Sequence, residues 1–279
     1  MNIEKTFELA VENHKKNNFQ IAEKFYKEIL EINPSHFKSI FLLGTLSITV
    51  KNFDKAVELL HQSISIQPDH AQSHCNLGVV YKELGETEKA KSYYQKAISI
   101  KPDFADPHNN LGIIFNELDE IEKAITCYQK AIDIQPDYAD AHYNLGNALH
   151  KINKHQAAIM SYEKVIRINP NYTAAYYNLG NVMSVLGEFK KAISCYEKAI
   201  NSKKNHSLAY NNMLFALLYL EEADPKICLK RAKEFRSSLK PIKDDLLIKY
   251  QFNKKPKKLR IGFVSGDLRE HPVGFFLLD

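Results

Sequence analysis

A period of 34 residues runs through most of the chain. A proline, a glycine and an alanine each recur at a fixed offset within it. They are Pro34, Pro68, Pro102, Pro136 and Pro170; Gly44, Gly78, Gly112, Gly146 and Gly180; and Ala22, Ala56, Ala90, Ala124, Ala158 and Ala192. Because each period is one supersecondary unit, the chain is predicted to be a stack of similar repeats.

Each repeat has the signals of two packed helices joined by a tight turn. In the repeat 71–104, Gly78 and Ala90 are small enough for the helices to cross closely, and Pro102 ends the second helix because it lacks an N–H. The turn needs a residue that tolerates a left-handed backbone. Residues of this kind occur there in five repeats, as Asn17, Gly85, Asp119, Asn153 and Gly187. Lys51 is the exception, so we expect its turn to be strained or differently shaped.

This pattern resembles the tetratricopeptide repeat. The resemblance implies an all-α fold, a right-handed superhelix (α-solenoid) of about seven helix pairs. Residues 1–206 are predicted to hold six repeats, at 3–36, 37–70, 71–104, 105–138, 139–172 and 173–206. A degenerate seventh repeat with a capping helix is expected at 207–250, and a basic linker at 251–258.

Asparagine recurs at the sixth position of five successive repeats. These residues, the asparagine ladder, are Asn76, Asn110, Asn144, Asn178 and Asn212. The first helices of such repeats line the concave groove, at a spacing on the order of 10 Å. Because a side-chain amide both donates and accepts hydrogen bonds, the ladder predicts a site for an extended polypeptide. The alternative is that the amides bond to neighbouring turns and order the superhelix.

Two other sites on the same helices are less favoured. His74, His108 and His142 recur at the fourth position, but one repeat spacing is too wide for a shared metal ion, so packing between repeats is preferred and no metal site is predicted. Co-chaperone domains of this type bind a C-terminal carboxylate through inward basic residues. Positions two, five and nine of repeats three to six carry no basic residue, which argues against that mode.

Composition argues against several other functions. The net charge of +5 is too small to indicate nucleic-acid binding, and no apolar run reaches the roughly 18 residues that predict a membrane span. The N-terminus lacks the apolar core of a signal peptide, so a cytoplasmic protein is expected. Four cysteines match no zinc signature and are predicted to be buried thiols: Cys75, Cys127, Cys195 and Cys228.

The sequence changes character after residue 250. The segment 259–264 has the pattern of a buried strand, 265–272 that of a loop, and 273–278 that of a helix start, which together open an α/β unit. The run LRIGFVSGDLREHPVGFF after the repeats resembles the start of the catalytic region of the protein O-GlcNAc transferase family. Residues 259–279 are therefore predicted to be a truncated stub of an α/β glycosyltransferase domain.

The resemblance implies an enzyme without a metal that moves a sugar from UDP-N-acetylglucosamine to Ser or Thr hydroxyls of proteins, with the repeats holding the acceptor. It implies catalytic roles for His271 and, more weakly, Asp267; the alternative is that His271 only shapes the loop before Pro272. A domain takes at least about 50 residues, so this chain is expected to be inactive alone. The alternative function is a stand-alone adaptor between proteins, with a homodimer left open.

Overall fold

The structure, a computed structural model, describes residues 2–202, 206–220, 225–238, 260–262 and 275–277. The chain divides into two compact units, Met1–Ser238 and Leu239–Asp279. None of the described helices is long and apolar enough to cross a membrane.

The described part of the first compact unit consists of fourteen helices in seven successive pairs. The pairs are Ile3–Lys15 (α1) with Phe19–Ile32 (α2), Phe37–Thr49 (α3) with Phe53–Ile66 (α4), Ala71–Glu83 (α5) with Thr87–Ile100 (α6), Ala105–Glu117 (α7) with Ile121–Ile134 (α8), Ala139–Lys151 (α9) with His155–Ile168 (α10), Thr173–Val185 (α11) with Phe189–Ser202 (α12), and Ser207–Leu218 (α13) with Pro225–Ser238 (α14). The prediction of an all-helical solenoid is confirmed for this unit.

The two helices of a repeat meet where a glycine of the first lies against a ring of the second. Gly78 on α5 faces Tyr94 on α6, and Tyr94 is 1% exposed. Three more repeats have the same pair, as Gly112–Tyr128, Gly146–Tyr162 and Gly180–Tyr196. The sequence prediction that glycine permits close approach of the helices is confirmed in these repeats.

The turn inside each of the first six repeats contains one residue in the left-handed region. These residues and their φ angles are Asn17 (61°), Lys51 (59°), Gly85 (77°), Asp119 (62°), Asn153 (57°) and Gly187 (76°). The turn at Lys51 is therefore not differently shaped, which corrects one part of the sequence expectation. Its Lys51 N–H and Asn52 N–H bond the carbonyls of Ile48 and Ser47, as the equivalent amides do in the third repeat. The stack thus imposes one turn geometry even on a lysine.

Odd-numbered helices of successive repeats contact one another directly. The pairs are α3 with α5, α5 with α7, α7 with α9, α9 with α11, and α11 with α13. Among the described helices, no two even-numbered ones are in comparable contact. The odd-numbered helices therefore line the inner side of the stack, and we call the surface that they present the inner face.

The second compact unit contains two short strands, Arg260–Gly262 (β1) and Phe275–Leu277 (β2). They pair antiparallel, with Arg260 opposite Leu277. The strand predicted at 259–264 agrees with β1, whereas the helix start predicted at 273–278 is wrong for Phe275–Leu277, which form a strand. A short apolar run without helical periodicity fits a strand as well as a helix, which explains the error.

Candidate polypeptide-binding face

The asparagine ladder lies on the inner face. Its members are on α5, α7, α9, α11 and α13, one on each helix, and each is half-buried. The regular stacking of the odd-numbered helices thus brings the five predicted residues into one row, as the period indicated.

The amide nitrogens of the ladder bond to the preceding repeat. The Nδ2 of Asn178 donates to the hydroxyl of Tyr143 at 3.0 Å and to the Oδ1 of Asn147 at 2.8 Å. The hydroxyl of Tyr162 donates to the same Oδ1 at 2.8 Å. The amide of Asn178, the ring from position five and the amide from position nine therefore form one hydrogen-bonded joint between repeats five and six.

The joint between repeats six and seven is a copy of it. The Nδ2 of Asn212 donates to the hydroxyl of Tyr177 at 3.2 Å and to the Oδ1 of Asn181 at 2.9 Å. That Oδ1 also accepts from the hydroxyl of Tyr196 at 2.9 Å. Four polar side chains from two repeats again bond to one another.

Earlier joints are simpler because other residues occupy positions five and nine. Asn144 donates to the Oδ1 of Asn109 at 3.0 Å, and Asn76 donates to the Oγ1 of Thr45 at 3.1 Å. Asn110 lies against the thiol of Cys75. The ordering role that the sequence left as an alternative is therefore what the contacts show.

The amide oxygens of the ladder take no part in these hydrogen bonds between repeats. The Oδ1 atoms of Asn76, Asn144, Asn178 and Asn212 accept no hydrogen bond from the part of the chain that the structure describes, and none of them is fully buried. A side-chain amide oxygen can accept two hydrogen bonds. The inner face thus offers a row of acceptors, while the matching donors are used within the stack. Binding of a peptide by these residues stays a prediction.

A second row, directly before the odd-numbered helices, was missed by the sequence prediction. The last residue of each of the first six repeats carries a ring, and we call these residues the edge rings: His36, His70, Phe104, Tyr138, Tyr172 and His206. All six are half-buried. Their signal was present in the sequence, because an aromatic residue or histidine occurs at that position in every one of these repeats.

Four edge rings pack on a ring at position five of their own repeat. The pairs and their centroid distances are Phe7–His36 (5.4 Å), Phe41–His70 (4.7 Å), Tyr143–Tyr172 (5.2 Å) and Tyr177–His206 (5.1 Å). Tyr172 also donates its hydroxyl to Asp140 at 2.9 Å. These contacts close one border of the inner face in the repeats where they occur.

Three edge rings, His36, His70 and His206, also cap the following helix. The Nδ1 of His36 accepts from the backbone N–H of Ser39 at 3.3 Å and lies 2.8 Å from its Oγ; His70 and Ser73 repeat both contacts. Burial lowers the pKa of the His36 and His70 imidazoles, and Lys38 beside His36 and His74 beside His70 lower it further. The neutral ring is the form that can accept at Nδ1.

The recurring histidines at position four have a structural role. The Nε2 atoms of His74, His108 and His142 lie 2.9, 3.3 and 3.0 Å from the carbonyl oxygens of Pro68, Pro102 and Pro136. Each histidine thus fastens the loop that precedes its helix. Among the described residues, no three histidines, cysteines or carboxylates are grouped to hold a metal ion.

The inner face becomes apolar at the seventh repeat. Leu208, Phe215, Leu218 and Tyr219 are 57%, 52%, 50% and 55% exposed. Helix α14 packs on α13, with Cys228 against its core, and does not bury these side chains, although the Tyr219 ring stacks on Phe189 of α12 at 5.1 Å. Large exposed apolar side chains on one helix are typical of a contact surface.

The predicted catalytic residues cannot be placed. His271 and Asp267 both lie outside the described residues.

Comparisons with known families agree with the repeat architecture. Models of the tetratricopeptide repeat match residues 7–36, 37–70, 71–104, 93–126, 139–172 and 173–206, and a model of the TPR repeat matches 114–153. The chain belongs to the tetratricopeptide repeat proteins. No curated protein sequence matches it.

Several solved structures are similar to this repeat protein. MamA is 27% identical with a TM-score of 0.52, and the match covers 60% of this chain and 91% of MamA. YrrB, described as a TPR protein with an unusual peptide-binding site, is 20% identical with a TM-score of 0.53 and coverage of 67% and 96%. The APC/C hetero-tetramer Cut9–Hcn1 gives 16% identity, a TM-score of 0.70 and coverage of 77% and 43%. The last two show likeness of fold alone.

Proposed function

We propose that this tetratricopeptide repeat protein is a scaffold that binds a partner polypeptide in extended form along its inner face. The observation that carries the proposal is the row of ladder Oδ1 atoms that accept no bond from the described residues. A peptide backbone in extended form presents N–H donors, which such acceptors can bind. Because they contact backbone rather than side chains, the sequence preference of the partner is expected to be loose.

Similar structures support a polypeptide partner. The published description of YrrB names a peptide-binding site, and that of Cut9–Hcn1 names an assembly of protein subunits. In repeats three to six, positions two, five and nine have no Lys or Arg. The ladder would therefore bind a segment inside the partner chain rather than a terminal carboxylate, which needs a cation beside it.

The test is binding of a displayed library of random peptides to the purified chain. Asn110, Asn144 and Asn178 are replaced together by Ala, and a control variant carries Asn171→Ala and Asn201→Ala, two exposed asparagines outside the odd-numbered helices. We expect the triple variant to stay helical by circular dichroism and to weaken binding by about 1 kcal/mol for each lost hydrogen bond. Equal affinity in the triple variant and the control would contradict a binding role for the ladder.

The finer hypothesis is that the scaffold is the acceptor-binding part of a protein O-GlcNAc transferase. It rests on the resemblance of residues 259–279, and none of the families or structures named above is a glycosyltransferase. The adaptor is therefore the better supported of the two. Transfer of label from UDP-N-acetylglucosamine to cell protein by the product of the full reading frame, lost with His271→Ala, would support the enzyme. Absence of transfer would leave the adaptor.

A further inference from the structure

A cleft of about 400 Å³ opens at the border of the inner face in the third repeat. Two edge rings, His70 and Phe104, lie on its two sides, and Gln72 and Ile100 complete its wall. Asp69 and Lys101 stand at its rim with opposite charges. The volume lies at the lower end of the range of about 300–1,000 Å³ that is usual for ligand pockets.

The third repeat lacks a ring at position five, as does the fourth, where the residue is Asn109. Repeats one, two, five and six each place a ring there against the edge ring. In the third repeat that position is Cys75, which is 4% exposed and does not line the cleft. Phe104 therefore has no ring partner among the described residues. Its side chain packs against the buried core, and the ammonium of Lys101 lies 5.8 Å from its centroid.

Two further differences keep the cleft open. In the fifth repeat the hydroxyl of Tyr172 bridges to Asp140 and closes the equivalent space, but Phe104 has no hydroxyl and the residue equivalent to Asp140 is Gln72. His70, on the other side, packs edge-on against Phe37 and Phe41 of the second repeat. Its ring is thus held toward the neighbouring repeat.

We propose that this cleft binds an aromatic side chain of the polypeptide held on the inner face, with a tyrosine-like ring as its ligand. The proposal rests on the proposed function. The ring would take the place that Phe41, Tyr143 and Tyr177 have in their own repeats, packed against Phe104. The Gln72 side chain and the Asp69 carboxylate are the groups at the rim that can accept from its hydroxyl. Because Asp69 and Lys101 offset each other, a neutral ring fits better than a charged side chain.

The test uses N-acetyltyrosinamide as the probe and the full chain, followed by backbone amide shifts in nuclear magnetic resonance spectra. We expect saturable shifts at Gln72, Lys101 and Phe104, and about three- to tenfold weaker binding of N-acetylleucinamide, because ring pairs add affinity beyond the area that they bury. Equal binding of the two amides, or shifts spread over the surface without saturation, would overturn the proposal.

Two matched variants locate the site. Gln72→Trp places a ring in the cleft from an exposed position and should abolish binding of the probe. Lys38→Trp makes the same change at position two of the second repeat, where Phe41 and His70 already fill the border, and should leave binding unchanged. Loss in both variants, or in neither, would contradict the assignment.

The experiment with N-acetyltyrosinamide and the experiment with the peptide library test different sites, so failure of one can be told apart from failure of the other. The probe has a single side chain and no extended backbone, so it reports on the cleft and not on the ladder. Failure of the probe with retained peptide binding would remove the cleft alone. Probe binding without peptide binding would refute the extended polypeptide and leave an aromatic site.

Discussion

The ring of Tyr94 covers Gly78 so closely that a Cβ atom at residue 78 would lie 2.5 Å from the ring carbon Cε1. The tyrosine ring fills the crossing of the two helices, and the glycine makes the space for it. The first repeat has the pair Ala10–Tyr26 instead, both fully buried, with the Tyr26 hydroxyl 3.3 Å from the Nδ1 of His14. The helices of the first repeat therefore accommodate the extra methyl group. Glycine is thus required at the crossing of Gly78 and Tyr94 but not at that of the first repeat.

Replacing Gly78 by Ala should destabilise the protein by about 1–3 kcal/mol, the usual cost of overpacking a core. The measurement is the midpoint of urea unfolding followed by circular dichroism. A double-mutant cycle with Tyr94→Leu supplies the control, since the second repeat tolerates Gly44 against Leu60. The Ala substitution should cost clearly less in the Leu background. An equal cost in both backgrounds would show that the ring is not the cause.

Lys51 occupies a left-handed turn position that disfavours it. Asn17 and Asn153 hold the same position in other repeats at nearly the same φ. We expect Lys51→Asn to raise the free energy of unfolding by up to about 1 kcal/mol, because a left-handed backbone costs most side chains roughly 1–2 kcal/mol and asparagine less. The reverse change, Asn153→Lys, should lower it by a similar amount. Thermal unfolding should therefore show a gain in stability for Lys51→Asn and a loss for Asn153→Lys. A loss of stability in both variants would refute this explanation.

Acidification should loosen the loops between the first three repeats. Burial holds the pKa of His36 and His70 below the ordinary value of 6.5, so the unfolded chain takes up protons more readily than the folded one. Stability is therefore complete above about pH 6.5 and falls as the pH drops below it. Protonation also removes the Nδ1 acceptor, and a lost helix cap costs about 1 kcal/mol.

The check is thermal unfolding at several pH values between 7.5 and 5 for the wild type and for His36→Asn with His70→Asn. Asparagine caps a helix without titrating in this range, so the variant should lose less stability on acidification. Three other histidines with lowered pKa values remain in both proteins and contribute equally to the two pH profiles: His14, His142 and His150. Identical pH profiles would exclude the two caps as the source.

The sequence predicted those features that depend on one residue with a strong local effect. The glycine crossing, the repeat register and the turn residues are of this kind. It did not predict how Asn178 uses its amide, because its partners Tyr143 and Asn147 lie 35 and 31 residues away and vary between repeats. The shape of the Lys51 turn was missed because the turn forms the same two backbone hydrogen bonds as in the third repeat, against the local preference of lysine. Sequence proximity cannot reveal either effect.

Asn178 allows the ordering role of the ladder to be separated from its binding role. Asn178→Ala removes two donated hydrogen bonds and leaves the oxygen of Asn147 with the Tyr162 hydroxyl alone. At about 1 kcal/mol for each bond, we expect a loss of roughly 2 kcal/mol, seen in urea unfolding and in faster amide exchange of α9 and α11. Tyr143→Phe, which removes only one acceptor, should cost about half as much.

Asn178→Asp separates the donors of the side chain from its acceptors, because a carboxylate keeps acceptor oxygens and has neither N–H donor. If the ladder binds peptide N–H groups through its oxygens, this variant should lose stability as Ala does but retain more peptide affinity. Equal peptide affinity in the Asp and Ala variants, at equal stability, would mean that Asn178 serves only as a joint between repeats. The same comparison at Asn212 should give the same answer, since Tyr177, Asn181 and Tyr196 occupy the equivalent positions in its joint.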